Sequence, residues 1–196
     1  MQKRMLAVVA LTALLLLAVG VVAGCGGDTT TYANDEYGFS FDYDSGTFSQ
    51  SNDVSPAGVD GGGGEVSVGL VDPDGTKQGE TYRDGAFISV HTLGWEIDDL
   101  SEHKGWLEGQ LQLALGNAGA GITAVSLKEV DVGGVKGYTT DASYSLEGQP
   151  FKARLYFFAD GSKLYWITLQ AADDRWSELE PKLQDVVDSF TVGGSE

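Results

Sequence analysis

The sequence predicts an α+β fold: a mainly antiparallel sheet sandwiched with one inserted helix and one C-terminal helix. Three observations carry that expectation. Aromatic residues alternate with small and polar ones near the start of the body, turn dipeptides recur between strand-like stretches, and two apolar stripes run at helical spacing.

The alternation comes first. Tyr37, Phe39, Phe41 and Tyr43 are interleaved with Gly38, Ser40 and Asp42, the period of a half-buried strand. Asp44-Ser45-Gly46 turns the chain, and Phe48 opens a second short segment. Pro56 to Gly64 holds Gly58 and the run Gly61-Gly62-Gly63-Gly64, a composition that predicts a flexible loop. Val66, Val68 and Leu70 read as a strand closed by Asp72-Pro73-Asp74-Gly75, and Ala86 to Leu93 as another, with Ile88 and Val90 on one face.

Asp98 to Leu115 is the inserted helix: Asp99 with Glu102 forms a capping-box pattern, and Leu100, Leu107, Leu111 and Ala114 make one stripe that Gly116 ends. Gly133-Gly134, Glu147-Gly148 and Asp160-Gly161 then punctuate successive antiparallel hairpins. Phe151, Ala153, Leu155 and Phe157 share one strand face, as do Tyr165, Ile167 and Leu169. The C-terminal stripe is Trp176, Leu179, Leu183, Val186, Val187 and Phe190, a helix that needs a sheet beneath it and that Pro181 is expected to kink or restart.

Ahead of this body stand Lys3 and Arg4, an apolar run from Met5 to Val22, and the small residues Ala23 and Gly24, the order of a secretory signal. Val22-Ala23-Gly24-Cys25 resembles the lipobox of bacterial lipoproteins, in which the cysteine thiol is alkylated by diacylglycerol and the peptide is cut before it. A plain signal peptide and an uncleaved transmembrane helix are the alternatives. In each case the positive charges stay inside and the remainder is delivered outside. The expected organisation is a signal over residues 1–24, a lipidated Cys25 and short tether over 25–36, and one globular domain over 37–192. Its first partner is the membrane, through the lipid on Cys25, since a second acyl chain makes attachment stable.

Twelve Lys and Arg stand against 29 Asp and Glu, a formal charge of −17. Cleavage would remove Lys3 and Arg4, leaving 10 cations against 29 acids and a charge of −19. Nucleic acid, whose binding rests on cationic contacts to phosphate, is therefore not an expected partner. Cys25 is the only cysteine, so no intrachain disulfide can form and an ordinary core must hold the domain.

The strand Glu36-Tyr37-Gly38-Phe39-Ser40-Phe41-Asp42-Tyr43 resembles the opening strand of the PsbP-like superfamily. Leu164-Tyr165-Trp166-Ile167-Thr168, Trp176, Pro181 and Asp188-Ser189-Phe190 resemble its last strand and C-terminal helix. The likeness spans Tyr37 to Val192. It departs from the family where Pro and then Trp commonly follow the opening strand, for here Asp44 and Phe48 occur. The resemblance implies an α/β/α sandwich that acts by binding, as do the photosystem II extrinsic protein and a nuclear-transport factor that binds a small GTPase.

No residue pattern points to catalysis or to a cofactor. His91 and His103 fit no zinc spacing. Asp72 and Asp74 begin like a calcium loop, but Thr76 and Arg83 stand where further ligands belong. The stretch Asp60 to Glu65 lacks the Lys-Ser/Thr of a phosphate-binding loop, and there is no G-x-S-x-G elbow. Trp95, Trp106, Trp166 and Trp176 could line a groove or belong to the core. The expectation is a non-catalytic binding or accessory lipoprotein on the extracytoplasmic face of the cell membrane, meeting an envelope protein or ligand. Its rivals are an envelope hydrolase using a carboxylate pair and an acidic cation-binding surface protein.

Overall fold

The computed structural model describes residues 28–51, 65–117 and 126–193. The expected signal, the lipobox residues Val22, Ala23 and Gly24, Cys25, and the glycine-rich loop from Pro56 to Gly64 lie outside the described residues. The chain runs through β1 (Thr29–Asn34), β2 (Phe39–Asp44), β3 (Ser49–Ser51), β4 (Val66–Val71), a small hairpin of β5 (Lys77–Gln78) and β6 (Thr81–Tyr82), and β7 (Gly85–Ile97). A 3-10 turn at Leu100–His103 leads into α1 (Lys104–Asn117). Then come β8 (Lys128–Val132), β9 (Val135–Leu146), β10 (Gln149–Ala172), α2 (Trp176–Asp188) and β11 (Thr191–Val192).

The main sheet has the order β3-β4-β7-β10-β9-β8, and a smaller one the order β1-β2-β11; every pairing in both is antiparallel. β10 turns back on itself. Twenty-four extended residues would span roughly 80 Å, yet the Phe158 ring stacks on Tyr165 at 5.1 Å and Asp173 N–H donates to the Pro150 carbonyl at 3.0 Å. Gly161, at φ +59°, makes the turn that Asp160-Gly161 predicts. The first limb pairs with β9 and the second with β7.

Both faces of this sheet are apolar and both are covered. On one face Val68, Ile88, Tyr165, Ile167 and Leu169 meet Leu179, Leu183 and Val186 of α2 and Phe39 and Phe41 of β2. On the other, Tyr138, Leu155, Phe157 and Trp166 meet Leu100, Leu107 and Leu111. The sandwich is therefore present, with one outer layer mixed: α2 shares it with the small sheet. Phe190 joins the layers, stacking on Phe39 at 5.5 Å and meeting Phe158 edge-on at 5.4 Å.

Three local expectations need correction. The tether was expected to reach residue 36, but Thr29–Asn34 is a strand paired along its length with β2; a threonine-rich β-branched run suits a ladder, and Tyr32 stacks on Phe41 at 5.1 Å. The cap at Asp99 is real, its carboxylate accepting from Ser101 N–H at 2.8 Å, but it starts the 3-10 turn rather than the α-helix. Pro181 does not restart the last helix, which runs unbroken from Trp176 to Asp188. Pro181 and Ser177, whose carbonyl it leaves unbonded, are both exposed, so water can satisfy that group.

His91 of β7 is half-buried, and its Nε2 has no hydrogen-bond partner among the described residues. Burial holds its imidazole below the ordinary histidine range, against the opposing pull of Glu65. As pH falls the unfolded chain therefore protonates first, near its ordinary value of about 6.5. The contribution of the neutral ring is complete above that value and is lost as pH falls through the folded one.

Two measurements test this packing. Phe190 is 1% exposed, and Phe190→Ala is expected to lower the unfolding free energy by about 3 to 5 kcal/mol in denaturant titration; a change below about 0.5 kcal/mol would mean that the ring does not join the layers. His91→Gln is expected to flatten the decline of stability below about pH 6.5. An unchanged slope would assign that decline to other groups.

Candidate binding edge

The buried carboxylates do not form an acid/base pair. Asp84 is fully buried and accepts from Ala172 N–H at 2.9 Å, Thr76 N–H at 2.8 Å and Arg175 Nη1 at 2.7 Å. Asp72 accepts from Arg175 Nη2 at 2.7 Å and from Asp74 N–H at 2.9 Å. One guanidinium thus bridges both acids in a two-pronged clamp that joins the end of β4, the start of β7, the end of β10 and the start of α2. Burial disfavours the charge of Arg175, but the hydrogen bonds it donates to Asp72 and Asp84 outweigh it and raise its pKa. The Asp72 carboxylate of the suspected calcium loop is spent on this clamp. No group of three or more His, Cys, Asp or Glu side chains gathers around a metal-sized space among the described residues.

The four tryptophans do not converge on one groove. Trp166 is core, Trp176 is partly buried against the α2 face, and Trp95 and Trp106 lie exposed, 6.0 Å apart, with His103 4.6 Å from Trp95. The histidines are separate as well, His91 on β7 and His103 in the 3-10 turn.

Two open grooves among the described residues lie elsewhere, astride β8, an edge strand of the main sheet. On the α1 side a groove of about 460 Å³ is lined by Asp99, Glu129, Asp131, Lys136 and Tyr138. On the α2 side a groove of about 290 Å³ is lined by Lys128, Val130, Tyr156, Val187 and Arg154 among others. Charge differs between them. In the first, three acids face Lys136 alone, and the Tyr138 phenol is pushed up by burial and then by Glu129, Asp99 and Glu108. In the second, both cations face Asp141, Arg154 at 2.8 Å and Lys128 at 3.7 Å, and Arg154 also holds Glu180 at 2.8 Å. Apolar Val130, Tyr156 and Val187 remain between them.

Sequence reading missed this edge. Lys128-Glu129-Val130-Asp131-Val132 alternates charge with valine, but nothing local distinguishes an unpaired strand from a paired one; only the sheet order does. Arg175 and Asp84 were missed for the same reason, being 91 residues apart in the chain.

Residues 102–192 match the family model for PsbP. The solution structure of cyanobacterial PsbP (CyanoP) from Synechocystis sp. PCC 6803 superposes with a TM-score of 0.54 at 20% identity, covering 89% of this chain and all of that one. A crystal structure from Bacteroides thetaiotaomicron VPI-5482 gives 0.53 at 11% identity over 83% of this chain and 48% of that one, so the chain spans about half of its length. No curated protein sequence matches. Residues 102–192 thus resemble PsbP, and the chain shares the fold of CyanoP along the whole of that protein.

Proposed function

We propose that this protein is an extracytoplasmic lipoprotein, anchored through Cys25, that acts as a non-catalytic binding or accessory protein for a component of the cell envelope. The observation that carries the binding half is the open β8 edge between two shallow grooves, while both faces of the sheet are covered. The anchoring half rests on the signal-like segment and lipobox ahead of Cys25. No helix among the described residues is long and apolar enough to cross a membrane. The buried acids among the described residues, Asp72 and Asp84, are both held by Arg175, which supports binding over hydrolysis by a buried carboxylate pair.

Cys25→Ser removes the acceptor thiol and is expected to abolish incorporation of radiolabelled palmitate and release the chain from the membrane fraction. Label retained by the serine variant would refute the lipid anchor. For the binding half, photo-crosslinkers placed along β8 in intact membranes are expected to give one reproducible adduct, absent when they are placed on α1. Adducts from α1 alone would move recognition away from this edge.

A further inference from the structure

β8 and β9 are joined by the two-residue loop Gly133-Gly134, with φ of +60° and +83°, the positive values a tight hairpin requires. A Cβ at Gly133 would also collide with the Phe190 carbonyl, which fixes the loop against the core. In such a hairpin the residues flanking the loop exchange both backbone hydrogen bonds, and the pattern alternates outward. Val132 with Val135, Val130 with Gly137 and Lys128 with Thr139 are thus the bonded pairs. Glu129 and Asp131 turn their N–H and C=O groups to the free edge, and no described residue bonds them.

Side chains alternate with the same period. Glu129 and Asp131 line the groove on the α1 side together with Asp99, Asp131 bordering the second groove as well, while Val130 packs on the α2 side against the core cluster that holds Tyr156 and Val187. A strand laid along this edge would bond to the backbone of Glu129 and Asp131. It would place two side chains directly opposite those carboxylates and the intervening one beside Val130. The β8 edge of a second copy does not fit, because any pairing of β8 with β8 that satisfies these outward groups sets acid against acid.

We infer that the β8 edge takes up, by strand addition, an extended peptide segment of a partner protein whose sequence reads basic, apolar, basic. The inference rests on the binding role proposed above and names its ligand chemistry. Affinity comes from the four outward backbone groups, and selectivity from the two carboxylates and from Val130, which lies between them along the strand.

The full chain in detergent micelles is titrated with the peptide acetyl-Thr-Lys-Val-Lys-Thr-amide, its Glu-Val-Glu counterpart, and a Lys-Val-Lys peptide N-methylated at the pairing amides. Fluorescence anisotropy gives affinity, and amide hydrogen exchange gives the site. Saturable binding of the Lys-Val-Lys peptide is expected, with new protection at the amides of Glu129 and Asp131. Binding should be at least roughly tenfold weaker for the acidic peptide and lost on N-methylation. The paired variant Glu129→Lys with Asp131→Lys should invert the charge preference. Glu129→Gln with Asp131→Asn, which keeps shape and the acceptor for Gly134 N–H, should abolish it without unfolding. Absence of saturable binding, protection elsewhere, or a preference unaltered by the lysine pair would overturn the inference. Concentration-dependent protection of both amides without peptide would replace it with self-association. If the membrane crosslink along β8 persists in the lysine pair while peptide preference is unaltered, the strand-addition inference falls and the binding role stands.

Discussion

The central constraint is that the middle of the main sheet is buried on both faces. From Leu164 to Ala172 every residue of the second limb of β10 is buried, including the polar Thr168 and Gln170. A strand in that position cannot alternate apolar with polar, and each face demands its own cover. α1 and the 3-10 turn before it serve one face, and α2 with the three-stranded sheet serves the other. Polar side chains inside must then satisfy one another: Tyr144 donates to Gln170 at 2.7 Å, Gln170 to the Arg83 carbonyl at 2.7 Å, and the Trp166 indole to Thr168 at 3.1 Å. Burial drives the Tyr144 phenol far above its ordinary range, so it stays protonated as the donor that Gln170 requires.

The same constraint explains the Arg175 clamp. Where the covered faces end, β4, β7, β10 and α2 converge, and backbone groups there cannot all reach a ladder. Asp84 fills that role, its carboxylate accepting from two backbone N–H groups belonging to different elements. A carboxylate so placed is fully buried and needs a counter-charge, which Arg175 supplies while keeping part of its own side chain in contact with water. Such a clamp contributes less net stability than its short contacts suggest, because both charges lose hydration. It fixes where α2 begins, and hence how its stripe meets the sheet.

What sequence disclosed, and what it concealed, follows from the range of the interactions. Periodicity within a strand or helix is local, so the faces of Phe151 to Phe157, of Tyr165 to Leu169 and of Leu179 to Val187 were legible and lie where the pattern puts them, whereas Phe190, read as part of the helix, falls just beyond its end. Hairpin turns were legible because two glycines, or Glu147 with Gly148 at φ +51° and +87°, announce a backbone that other residues avoid. β1 was concealed because a Thr-rich polar run is as ordinary in a tether as in an edge strand, and only its pairing with β2 decides. The candidate site was concealed almost wholly. An edge is defined by which strand lacks a neighbour, and that depends on the order of the whole sheet rather than on residues 128–132.

This placement bears on how one fold can serve unlike partners. With both sheet faces given to covers, recognition falls to edges and loops, and the β8 edge is largely decoupled from the core. Val132 is buried and Val130 leans on the α2 face, so these positions answer to packing. Glu129 and Asp131 are exposed, and their backbone groups point away from the ladder, so the side chains there do not answer to what lies beneath. Asp131 carries one structural duty, accepting from Gly134 N–H at 2.8 Å, which asparagine could also meet. Charge on this edge can therefore change sign without costing the hydrophobic burial that makes the fold. On the proposed role, a partner would be chosen by a few exposed residues, while the resemblance to PsbP rests on the buried ones.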